Sequence, residues 1–199
     1  MKTKSMTQTA IIAAVIFAFA FLMPFLAYPK IGVVEITLLM IPVIVGAVVI
    51  GPAGGAVAGT CFGITSFLQC LGFPMLSTFG ATMLSDSVWK TALLTIGARA
   101  LAGYLCGVVA WGLKKAGCRR AVFCTAAALC GSLFNTVFFV GGLYFLFSRS
   151  ETVMNLLQIG RNLLAFFVAL VGVNSLIEAV VCTAVGAVIA NAVLRSKPL

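Results

Sequence analysis

Residues 10–27 read AIIAAVIFAFAFLMPFLA, an apolar run without a single charge. About 20 consecutive apolar residues carry a helix across the ~30 Å hydrocarbon core of a bilayer, and this run is close to that length. Lys2 and Lys4 precede it, as a basic region precedes a secretory signal. The run is longer than a signal's apolar core, however, and more segments of the same kind follow. It therefore reads as a first transmembrane helix rather than a leader.

The same texture continues outward from it. Of the 199 residues, 62% are hydrophobic and 9% are charged, and the mean hydropathy is +1.20. Soluble domains are about 45–50% apolar and about 25% charged, so a soluble enzyme domain is excluded, and disorder with it. Apolar runs recur at 36–50, 54–71, 91–113, 122–147 and 163–194. With 9–28 they predict an all-α bundle of six transmembrane helices in a single domain, 1–199. Pro42 falls inside the short second run and predicts a kink there. Gly51-Pro52-Ala53-Gly54-Gly55 predicts a tight hairpin between the second and third. The stretch 72–90, with Pro74, several Ser and Thr, and Asp86, is too polar and broken to span. It reads as a long loop carrying a short helix, and 149–161 as a polar connection.

Thirteen Lys and Arg against four Asp and Glu give a net charge of +9. In a soluble chain that balance would suggest nucleic acid; in a membrane protein, basic residues gather in cytoplasmic loops. The N-terminus (Lys2, Lys4), the fourth connection (Lys114, Lys115, Arg119, Arg120) and the C-terminus (Arg195, Lys197) fall on one face and carry no acid. The opposite face mixes Lys30, Lys90, Arg149 and Arg161 with Glu35, Asp86 and Glu151. Both termini are thus expected to be cytoplasmic.

Histidine is absent, which removes imidazole metal sites and Ser-His catalysis. The seven cysteines show no CxxC spacing, so no metal is expected, and six of them read as small apolar filler. No GxxxxGK[ST] or GxSxG motif is present, so the chain is not expected to hydrolyse ATP itself, and no cofactor is implied.

Two constellations stand out. Ala10, Ala14 and Ala18 recur every four residues and make one smooth stripe, suited either to a partner membrane subunit or to this chain's own bundle. Polar residues inside the spans are expensive in lipid and face an interior or a cavity. They are Gln69, Arg99, Asn135, Asn174 and Glu178, with Asn174 and Glu178 four apart on one helix face. Their convergence near the outer half would make a pocket for a small polar solute, or an interhelical cluster such as Arg99 with Glu178. Tyr28, Phe73, Trp89, Tyr144 and Phe147 lie near the outer ends, where rings form the interfacial belt. Of these, Trp89 and Tyr144 are the candidates for contact with a ligand.

Taken together, the chain resembles the substrate-binding S components of energy-coupling factor (ECF) vitamin transporters, over most of its length. The alanine stripe is similar to the family's docking motif for the energy-coupling transmembrane subunit. Ile41 to Ala47, followed by Gly51-Pro52 and a Gly-rich helix, resembles its second and third helices. Gly131-Ser132-Leu133-Phe134-Asn135-Thr136 with Gly141-Gly142-Leu143-Tyr144, and Asn174 to Glu178 with Ala179, resemble its fifth and sixth. The resemblance implies a binding protein and not an enzyme, in a bacterial cell membrane. It would take one water-soluble vitamin near the external side, with 28–35 and 72–90 closing the pocket. It would work with a coupling subunit and two ATPase subunits. The fifth and sixth helices look most like pantothenate-type members, and a compact anion suits Arg99 with the amides. Riboflavin, folate or another vitamin, and a standalone secondary transporter, are the alternatives.

Overall fold

The computed structural model describes residues 3–22, 30–31, 34–35, 38–153 and 173–196. Helix α1 is Thr3–Leu22. A two-residue antiparallel ladder follows, β1 (Lys30–Ile31) with β2 (Val34–Glu35), pairing Lys30 with Glu35 and Ile31 with Val34. The remaining described elements are helical: α2 (Met40–Ile50), α3 (Pro52–Cys70), α4 (Thr78–Asp86), α5 (Val88–Lys115), α6 (Arg120–Phe147) and α7 (Val173–Ser196).

Four of these helices, α1, α5, α6 and α7, are long and apolar enough to cross a bilayer. Helix α2 is apolar but has 11 residues, about 16 Å at 1.5 Å per residue, roughly half the hydrocarbon thickness. Pro42 sits in its first turn and not in its interior. Its missing N–H falls where no intrahelical partner exists, so the predicted kink has no cause. The hairpin at 51–55 is tighter than its composition suggested. Gly51 alone makes the reversal at φ 108°, and Pro52 is already the first helical residue of α3.

The largest departure from the sequence reading is 72–90. It holds two helical starts. Ser77 accepts from the Gly80 N–H and caps α4, and Ser87 accepts from the Lys90 N–H and caps α5. Two of the serines that argued for a loop are therefore caps. Helix α5 consequently begins three residues before the expected span, and it carries a π-turn over Leu93–Gly97. Helix α6 matches the fifth expected run, 122–147, within two residues. The first part of the expected sixth span, 163–172, and the end of the first, 23–28, lie outside the described residues.

The packing is dominated by small residues, as it must be where lipid is as apolar as the helices themselves. Helices α3 and α5 cross along a glycine seam. A Cβ on Gly55 would run into the Gly103 carbonyl, one on Gly59 into the Arg99 carbonyl, and one on Gly63 would come within 2.6 Å of Ile96 Cα. The main core gathers Ile16, Met40, Val43, Ile44, Phe62, Ala102, Cys106, Ala127, Cys182 and Ala190. A second core at the other end joins Met83, Leu94, Val140, Leu143, Phe147 and Val153.

The turn between α5 and α6 is closed by Gly117 at φ 77°, with Cys118 N–H donating to Leu113 O and Gly117 N–H to Lys114 O. It carries Lys114, Lys115, Arg119 and Arg120. Leu194 packs in the same core as Phe123, so α7 ends beside the start of α6 and puts Arg195 at this basic end. At the opposite end Asp86 Oδ1 accepts from Ser150 Oγ at 2.6 Å, and Lys90 Nζ lies 3.7 Å from Asp86 Oδ2. Among the described residues, the α5–α6 turn is thus basic and the end that holds Asp86 carries mixed charge.

Candidate solute-binding site

The polar residues within the helices form a buried column. On α3, Phe62, Ser66 and Gln69 share one face and are all buried. On α5, Thr95 and Arg99 are buried one turn apart, and on α6 so are Ser132 and Asn135, with Phe139 one turn further along. Helix α7 contributes Glu178, 8% exposed.

Arg99 binds three helices together. Its guanidinium carbon lies 4.5 Å from the Phe62 ring centroid and 5.0 Å from that of Phe139. Nη1 donates to the Thr95 carbonyl at 3.2 Å, within the π-turn. Each cation–ring contact contributes about 2 kcal/mol when desolvated. Sandwiched in this way, the planar guanidinium has a fixed orientation that a flexible ammonium could not reproduce.

Asn135 binds α6 to α7. Its Nδ2 donates to Glu178 Oε1 at 3.3 Å, which gives the buried carboxylate a partner. Asn135 is twelve residues from the Phe147 end of α6, about 18 Å, and somewhat further from the basic Arg120 end. The pair therefore lies deep in the bundle, toward its mixed-charge end. Three buried side-chain oxygens of the column have no hydrogen-bond partner: Ser66 Oγ, Ser132 Oγ and Asn135 Oδ1. A polar atom left so costs about 1–3 kcal/mol, which a bound solute or water would recover.

Of the residues singled out in the sequence, Gln69, Arg99, Asn135 and Glu178 are thus buried along this column. Asn174 lies in the first turn of α7, and its side chain lies outside the described residues. Trp89 is 82% exposed, outside the column. It occupies the first turn of α5, two residues after the Ser87 cap. Tyr144 is half-buried, against the second core. Phe147 is buried within that core with Lys90 over its ring at 5.6 Å, so it does not belong to an interfacial belt. The sequence reading missed Phe62, Ser66, Thr95, Ser132 and Phe139. Helical spacing carried the signal for the two serines, since Ser132 lies three before Asn135 and Ser66 three before Gln69.

A concavity runs between α5 and α6, lined by Leu93, Leu94, Gly97, Leu101, Phe138, Gly142 and Phe145 among others. Its lining has no charged or hydroxyl side chain, so it does not suit a water-soluble solute. On α1, Ala10, Ala14 and Ala18 are all exposed, while Ile16 and Ala20 face the core. Among the described residues, the stripe is an outward surface and not a packing face.

No curated protein matches the chain. A family model does, over residues 4–190, nearly the whole chain and every described helix but the last turn of α7. This is a multi-pass membrane protein, and it belongs to the family of ECF transporter substrate-specific components.

Proposed function

We propose that the chain is the high-affinity solute-binding subunit of an ATP-driven ECF importer for a water-soluble vitamin, with pantothenate as the preferred solute. The observation that carries the reading is the buried column. It places a cation held flat between two rings, an amide–carboxylate pair and three unpartnered oxygens in the interior of a transporter component. A solute carboxylate pairs edge-on with a guanidinium, and the hydroxyls and amide of pantothenate complement the oxygens. Phe62 and Phe139 already stack on Arg99 and Trp89 is exposed, an arrangement less suited to the flat ring system of riboflavin.

In this reading residues 1–199 form one domain of six membrane-crossing segments. The basic end and both termini are cytoplasmic, and the column opens toward the outside of a bacterial cell. Ala10, Ala14 and Ala18 receive the energy-coupling transmembrane subunit, and two ATPase subunits supply the energy. Gln69, Arg99, Asn135, Tyr144, Asn174 and Glu178 contact solute, and Trp89, exposed in the first turn of α5, swings in to close over it.

Reconstituted liposomes test the mode of transport. Pantothenate uptake that requires the coupling and ATPase subunits together with ATP is the expected result. Uptake driven by an ion gradient, by this chain alone, would instead identify a standalone carrier.

A further inference from the structure

Glu178 does more than fill a polar gap, because it sets which way the Asn135 amide faces. Its Oε1 accepts a hydrogen bond, and only the NH2 end of the amide can supply one. Nδ2 indeed donates to Glu178 Oε1. The other end of the amide is then the oxygen, and Oδ1 is buried with no partner in a side chain 6% exposed. Ser132, one turn along the same face of α6 and 1% exposed, adds a second unpartnered oxygen. Its hydroxyl can turn to accept as well as donate; the Asn135 oxygen can only accept.

We propose that Asn135 Oδ1, aimed by Glu178, is a donor-reading subsite: it selects solutes that present an O–H or N–H at this depth, and Ser132 is its partner. The inference rests on the buried column being the solute site. It assigns that site a chemical requirement beyond charge. A site built to hydrogen-bond a substrate donor rejects analogues without it far more strongly than a pocket rejects a missing methylene. Besides its own place in the solute site, Glu178 accordingly positions Asn135.

The test uses the purified full-length chain in detergent and isothermal titration with pantothenate and riboflavin. Each is compared with analogues in which one hydroxyl is replaced by hydrogen, or one amide or imide N–H is methylated. In the wild type, one such analogue of the vitamin that binds should lose ~100-fold or more in affinity. In Glu178→Gln the side-chain amide of residue 178 can donate as well as accept, so Asn135 is free to turn over. The same analogue should then lose less than about tenfold relative to the parent vitamin, a compression that a merely structural role for Glu178 would not cause. Ser132→Ala, a small change that the fold tolerates, should weaken the parent vitamin without removing the discrimination. Equal affinity for the parent and every analogue, or an unchanged ratio in Glu178→Gln, overturns the subsite and leaves the vitamin reading standing. Such a result would mean that a buried water satisfies Asn135 and Ser132. Failure of both vitamins to bind folded wild-type protein overturns the pantothenate reading, and the subsite as argued for it falls too.

Discussion

Arg99 and Asn135 show how two side chains organise the interior. Arg99 replaces water with two ring faces and a backbone carbonyl, and Asn135 gives a buried carboxylate its donor. Replacing Asn135 by Leu removes that donor and leaves Glu178 with one partner fewer, at a cost of about 1–3 kcal/mol. We expect Asn135→Leu to remain folded by gel filtration and to bind pantothenate at least tenfold more weakly. Unchanged affinity would remove Asn135 from the site. Arg99→Lys keeps the charge and loses the planar stack, so a lower melting temperature and weaker vitamin binding are expected together. Arg99, Asn135 and Glu178 were legible in the sequence because a charge or amide within an apolar run is conspicuous. Phe62 and Phe139 were not, because nothing in a phenylalanine-rich membrane chain distinguishes a ring under a guanidinium from a ring against lipid. Trp89 was conspicuous for another reason, a tryptophan near a polar stretch, and it lies 82% exposed in the first turn of α5.

Among the elements, the α3–α5 pair depends on backbones in close approach. Gly55→Ala drives a Cβ into the Gly103 carbonyl, where neither helix can yield without separating from the other. Gly141→Ala, on α6, meets nothing within 4 Å. Overpacking costs about 1–3 kcal/mol, so Gly55→Ala should lower the melting temperature and the yield of folded protein, while Gly141→Ala should change neither. Equal behaviour of the two variants would contradict the seam. The long apolar runs marked helix ends well: 122–147 became Arg120–Phe147, and 54–71 became Pro52–Cys70. The α4–α5 connection was misread because serine serves equally in loops and as an N-cap. Only the following turn of backbone, where Gly80 and Lys90 donate to Ser77 and Ser87, separates the two uses. The π-turn has no compositional mark at all.

For the whole molecule, the features read from the sequence divide the bundle into three parts. One end is basic and one carries mixed charge, with a polar column between them. The exposed alanine stripe lies on α1, whose inward residues Ile16 and Ala20 join the core. The column and the stripe are therefore separable. Ala14→Trp should leave vitamin affinity unchanged and abolish co-purification with the coupling subunit; normal assembly of that variant would remove the stripe from the interface. The central claim, that this ECF component holds a vitamin within its membrane bundle, is tested most directly by thermal unfolding of the purified chain in detergent against a panel of water-soluble vitamins. Ligand binding to the folded state stabilises it by mass action, by about 4 kcal/mol at a thousandfold excess over Kd. A large upward shift with one vitamin, pantothenate first, is the result predicted. Folded protein that shifts with no vitamin in the panel would contradict the account.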